Sequence, residues 1–279
     1  MSLQTFTTEQ LNEINQGKLQ QTILKNLIDE ALNHNTFNEN YIISSLPGLG
    51  KSYETQQALD KMPNRPLMFQ GSSSMPAFSI EIATAVYLSK GQRLVVVLDD
   101  CDSLFESKNI NIAKKMFDDA RVLKYGKNYR GLEHLTTPLQ FEAISSFSSE
   151  ESSGFAVPLD NVTFIILTNK HFSTVNEAEL GKEYDKDTYA IRRRTAYKSI
   201  EMNNRYLWGY VANVVLNEHI CEKFNPTITL DAKHQILTWC SERWDRVTER
   251  NLSLVEKMTK DMVRYPQNYL DIWAASYVK

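Results

Sequence analysis

The stretch Tyr41-Ile42-Ile43-Ser44-Ser45-Leu46-Pro47-Gly48-Leu49-Gly50-Lys51-Ser52 decides how the chain is read. Tyr41–Ser44 is a short apolar run bounded by polar residues, which reads as a buried strand. A Gly/Pro loop follows, and Tyr53–Lys61 then carries helix formers. Gly48 and Gly50 permit backbone conformations that turn N–H groups toward an anion. The helix N-terminus beyond them adds favourable dipole charge. Lys51 is spaced to reach β- and γ-phosphates, and Ser52 to ligate Mg²⁺. Pro47, Leu49 and Tyr53 complete the set expected around a bound nucleotide. The pattern departs from G-x-x-x-x-G-K-[ST] at its first position, Ser45, where glycine usually makes a tight turn, so strain is expected there. The competing reading is a glycine-rich turn with a chance Lys-Ser pair.

Working outward, Arg93–Asp99 (RLVVVLD) is a near-continuous apolar run that ends in Asp99 and Asp100. Such a run fits a strand buried on both faces of a parallel sheet. Asp99 is placed to hold Mg²⁺ through water, and Asp100 to polarise an attacking water as general base. Asp102 is a spare carboxylate whose plainer reading is a helix cap. Asn161–Leu167 (NVTFIIL) is another buried strand. It leads into Thr168-Asn169, which sets an amide beside a γ-phosphate if the two strands are neighbours. Otherwise Asn169 simply makes a turn.

The remaining chain fills in an alternating pattern. Residues 8–33 repeat apolar positions every three or four residues and read as a helix, weakened in the middle by Gly17. Pro66–Gln70 reads as a strand, Ser79–Leu88 and Asn109–Arg121 as helices, and Lys198–Met202 as strand-like. The segment from Tyr125 to Asp160 is rich in Ser, Gly, Thr and Glu and reads as an insertion with a hairpin. Tyr206–Lys223 reads as a helix, and Asp231 to Val278 as two or three helices without a strand signal.

Over 279 residues with 42% apolar and 23% charged, the composition is that of an ordinary globular protein with a real core. A net charge of −3 argues against a broadly basic nucleic-acid binder. No apolar run approaches the roughly 18 residues a membrane span needs. Three dispersed cysteines and five scattered histidines suggest neither a disulfide framework nor a His-based metal centre. A soluble, cytoplasmic protein is expected, in the host cytoplasm if the chain is viral.

The three motifs, in this order and spacing, resemble those of the AAA+ ATPases. SLPGLGKS is similar to their Walker A, VVVLDD to their Walker B, although many motor ATPases carry Glu where Asp100 stands, and ILTN to sensor 1. VVVLDDCDSLFES and NLSLVEKM…YPQNYLDIW resemble ATPases encoded in bacteriophage genomes. The resemblance implies an α/β P-loop NTPase core of sheet order 5-1-4-3-2 over residues 1–203, with an N-terminal helix and a 122–160 insertion. A small all-helical lid over 204–279 would follow. It implies ATP and Mg²⁺ as cofactors, with ATP at the subunit boundaries of a homo-oligomeric, commonly hexameric ring.

By position in the family pattern, Arg194, then Arg193, of Arg192-Arg193-Arg194 is the arginine finger. Arg250 is the lid arginine, with Arg243 and Arg246 as competitors. The plain alternatives are a solvated turn and a surface ion pair.

The expected output is ATP-driven remodelling of a protein or nucleoprotein, with phage DNA metabolism as one setting and an adaptor supplying specificity. A DNA-binding loader or replication accessory ATPase, a nucleotide switch and a P-loop kinase stand as alternatives. Gly71–Phe78, with Met75 and Phe78, is a candidate pore loop, against a reading in which both pack beneath a helix. Arg121–Arg130 (RVLKYGKNYR) interleaves cations with tyrosines, as nucleic-acid contacts do and as solvated loops also do.

Overall fold

The computed structural model describes residues 6–33, 39–62, 66–71, 74–106, 109–126, 129–148, 153–172 and 185–279. Its strands are β1 (Tyr41–Ser45), β2 (Leu67–Gln70), β3 (Leu94–Asp99), β4 (Val122–Tyr125), β5 (Phe155–Pro158), β6 (Val162–Thr168) and β7 (Ala196–Ile200). Five of them form one sheet in the order β2-β3-β6-β1-β7. The pairs β2–β3, β3–β6 and β1–β6 are parallel, with Ser44 opposite Thr168 and Asp99 opposite Leu167. Labelled in chain order, this differs from the expected 5-1-4-3-2, because β4 and β5 intervene and pair antiparallel with each other in a separate two-stranded sheet.

The chain divides into two compact units. One comprises Ile28–Ser45 and Gln56–Ser199 and holds the sheet. Strands β1 and β6 are buried at every position, and β3 at all but its first, as their largely apolar runs require. Ile42, Val96, Leu98, Phe164 and Ile166 build the core with side chains of α3 (Met75–Ser89) and α4 (Ile110–Phe117). Phe78 of α3 packs on Phe69 of β2 with ring centroids 5.0 Å apart. Helix α4 stops at Phe117, short of the expected Arg121. Asp118 accepts from the Ala120 N–H, and Arg121 takes a left-handed φ of 40° that turns the chain into β4.

The described residues of the 122–160 segment form more regular secondary structure than its composition suggests. Besides the β4–β5 pair it contains α5 (Pro138–Ser146), started by a reciprocal capping box between Thr137 and Gln140. Helix α6 (Lys186–Arg192) precedes β7.

The other unit comprises Met1–Leu27, Leu46–Thr55 and Ile200–Lys279. Within it, α7 (Asn204–Asn217), α8 (Leu230–Arg243), α9 (Leu252–Arg264) and α10 (Tyr269–Tyr277) make up the helical C-terminal segment. Trp208, Trp244 and Trp273 are its largest fully buried side chains. The one strand-like element there is a bridge between Val247 and Val278. The N-terminal helix α1 (Thr8–Asn33) meets α7 backbone to backbone. A Cβ on Gly17 would fall 2.1 Å from the Tyr210 nitrogen, and one on Gly209 would fall 1.9 Å from the Glu13 carbonyl oxygen. Gly17 therefore weakens the helix but permits the crossing.

Candidate functional site

The first group of candidate residues lies on the glycine loop, which leaves β1 at Ser45 and enters α2 (Lys51–Leu59). Gly48 and Gly50 have φ of 80° and 70°, so both occupy the left-handed region that glycine tolerates and other residues do not. Ser45 is the last residue of β1 and is not among the positive-φ positions, so the expected strain at the first motif position is absent. Leu49 and Lys51 are buried, while Pro47 is exposed and Ser52 and Tyr53 are half-buried. The Lys51 ammonium donates to the Leu46 carbonyl at 3.4 Å, across its own loop.

Two residues that the sequence reading missed cover this loop from the helical segment of the same unit. A Cβ on Gly48 would sit 2.0 Å from the Asn251 Cβ, and one on Gly50 would sit 2.1 Å from the Tyr210 hydroxyl oxygen. Asn251 also caps α9 by accepting from the Leu254 N–H. Beside the loop is a cavity of about 560 Å³, lined among others by Leu46, Pro47, Leu207, Arg246, Arg250 and Asn251. Arg250 therefore does lie next to the loop, but its Nε and Nη2 donate to the carbonyls of Trp244 and Asp245. Arg243 stays out of the cavity lining; it pairs with Glu242 and lies over the Trp239 ring.

Behind the loop, a polar network links α2 to α1 and α7. Glu54 is buried and accepts from Gln21 at 2.6 Å; Gln21 accepts from Asn213, also at 2.6 Å. Lys25 lies 3.6 Å from Glu54 and 3.0 Å from Glu218. Burial pushes the Glu54 carboxyl up from its ordinary value, against the lowering by Gln21 and Lys25. Burial also pushes the Tyr53 and Tyr210 phenols up.

The second group lies at the C-terminal ends of the sheet strands, in the other unit. Asp99 closes β3 and is buried. Asp100 is exposed, with a left-handed φ of 53°. Because β6 is the neighbour of β3, Asn169 reaches Asp100: its Nδ2 donates to Oδ1 at 3.1 Å. Asp102 is not a helix cap. It accepts from the Thr168 hydroxyl at 2.6 Å, tying the end of β3 to the end of β6. Burial, then the neighbouring Asp99, pushes the Cys101 thiol up to about 11, which leaves it protonated.

The three arginines after α6 separate by environment. Arg192 is half-buried, donates to the Phe172 carbonyl at 2.7 Å and lies 4.1 Å over the Tyr197 ring. Arg193 and Arg194 are exposed, and Arg194 donates to the Ala190 carbonyl.

The substrate-handling candidates fare less well. Phe78 is core, and Met75 packs against it at the start of α3; Ser72 and Ser73 lie outside the described residues. Arg121 is buried, with its guanidinium on the carbonyls of Leu159 and Val162. Tyr125 stacks on Phe155. Lys124 and Arg130 remain exposed, while Lys127 and Asn128 lie outside the described residues.

Among the described residues, no three His, Cys, Asp or Glu side chains gather to hold a metal ion. No described helix is long and apolar enough to cross a membrane. No family model matches the chain, and no curated protein matches it.

Proposed function

We propose that the chain binds ATP at the glycine loop and hydrolyses it as a ring-forming AAA+ ATPase that remodels a protein or nucleoprotein. The observation that carries this reading is in the sheet. The strand feeding a two-glycine loop, the strand ending in Asp99-Asp100 and the strand ending in Thr168-Asn169 are parallel neighbours. Open α/β sheets bind ligands beyond such carboxyl ends.

In this reading the loop amides and Lys51 take the phosphates, with Pro47, Leu49 and Tyr53 around the nucleotide. Ser52 and Asp99 would hold Mg²⁺, which neutralises charge on the β- and γ-oxygens. Asp100 activates water and Asn169 orients it or the γ-phosphate. Arg194 or Arg193, exposed and clear of the core, is offered to a neighbouring subunit, and the helical C-terminal segment acts as the lid. The nucleic-acid variant of the reading is weakened, because Arg121 and Tyr125 are used internally.

A second reading, a nucleotide switch without turnover, is favoured by the engagement of Asp100 with Asn169. One experiment separates the two: steady-state ATPase activity across protein concentration, with and without single-stranded and duplex DNA, alongside mass photometry. Activity that rises steeply with concentration together with a ring-sized species is the expected result. Tight ATP binding with flat, negligible turnover from a monomer would overturn the motor and leave the switch.

A further inference from the structure

Resting on the reading of the glycine loop as a nucleotide site, we infer that the Tyr210 hydroxyl is a hydrogen-bond donor reserved for the phosphate chain of the bound nucleotide. Tyr210 sits in the middle of α7, with its ring fully buried. Its hydroxyl has no hydrogen-bond partner among the described residues. A phenol that gives up water without gaining a partner is costly, and such orphaned groups are rare in native structures. This one abuts Gly50, in contact that any side chain there would block.

The neighbouring Glu54 carboxylate does not serve the hydroxyl; it is taken by Gln21 and paired with Lys25. Burial keeps the phenol neutral, as a donor must be. In the present state Lys51 bridges the loop to Leu46. Phosphate oxygens arriving at the loop would draw the ammonium away and bring an anionic acceptor to the hydroxyl. Hydrogen bonds to charged groups are the stronger kind, so the orphan in the free protein becomes a contact in the complex.

Tyr210→Phe removes the oxygen and little else, and three measurements on the full chain test the inference. Thermal unfolding without nucleotide reports the cost of the orphan, and titration with a fluorescent ATP analogue reports the contact. Tyr206→Phe, an exposed tyrosine on the same helix, is the control. The inference expects Tyr210→Phe to melt at or above the wild-type temperature when nucleotide-free, yet to bind the analogue about tenfold or more weakly, with Tyr206→Phe unchanged in both. Unchanged affinity in Tyr210→Phe, while the wild type binds, would overturn this inference alone. A lowered melting temperature in the nucleotide-free variant would also overturn it, because the hydroxyl would then have a structural partner. A wild type that binds no nucleotide would overturn both the inference and the nucleotide site beneath it.

Discussion

The side-chain amide of Asn169 donates to the carboxylate of Asp100 at 3.1 Å, and Asp100 makes this contact from a left-handed backbone. The two residues end neighbouring strands, so the pairing of β3 with β6 sets their approach. Asp and Asn tolerate the left-handed region better than most residues, but it still costs about 1–2 kcal/mol. Glycine would relieve that cost and lose about 0.5–1 kcal/mol to chain entropy.

Asp100→Gly is therefore expected to leave stability unchanged or raise it by up to about 1 kcal/mol, while loss of the base proposed for ATP hydrolysis should lower turnover by about 10²-fold or more. Chemical denaturation and a phosphate-release assay on the same preparation check both halves. A destabilised variant would show that the bond to Asn169 outweighs the backbone cost.

Gly50→Ala should destabilise the protein by about 2 kcal/mol or more, from the left-handed penalty together with overpacking. The added methyl would lie 2.1 Å from the Tyr210 oxygen and 3.3 Å from its Cζ. Combining it with Tyr210→Phe removes the nearer clash but not the backbone penalty, so a double-mutant cycle should show partial rescue. Strict additivity would mean that the hydroxyl does not touch the loop in solution.

The Glu54 carboxyl is raised above its ordinary value of 4.5, chiefly by burial. The unfolded chain ionises it more readily, so this group withdraws stability as pH rises from about 4.5 through the folded value, and withdraws none below. Glu54→Gln keeps an acceptor for Gln21 and leaves Lys25 its partner Glu218. The variant should be as stable as the wild type at pH 4 and more stable at pH 7, measured by urea unfolding. Loss of stability at pH 7 would show that the Lys25 pairing dominates.

Arg192 and its two neighbours should behave differently. Arg192→Ala gives up a bond to the Phe172 carbonyl and its place over Tyr197, and should cost about 1–2 kcal/mol of stability. Arg193→Ala and Arg194→Ala, both exposed, should leave the melting temperature unchanged. One of them should lower turnover by about 10³-fold. Mixing that variant with Lys51→Ala should restore some activity if the arginine acts across subunits, and none if it acts within its own.

Much of the sheet was legible because β1, β3 and β6 are largely apolar runs, each ending in the polar residues proposed to carry the chemistry. Gly48 and Gly50 were legible as positions where the backbone has unusual freedom, and both are left-handed. Helix α5 was missed although Thr137-Pro138-Leu139-Gln140 spells a helix start, because the surrounding Ser/Glu-rich composition masked it. Tyr210 and Asn251 were not legible at all, since their meeting with the loop depends on tertiary packing between distant parts of the chain. Arg121 was misread for a related reason: a charge counted in sequence does not reveal that carbonyls of Leu159 and Val162 surround it.

The crossing of Gly17 with Gly209 has a mechanical meaning. Where two backbones touch without side chains between them, each helix presents one notch, flanked by residues that do not fit. A slide of one residue would press Gln16 or Lys18 into the place only a bare Cα can occupy. Helix α1 is thus indexed against α7 like a key on its ward: the crossing bars it from translating along its partner, and the bonds of Gln21 to Asn213 and Lys25 to Glu218 hold its angle.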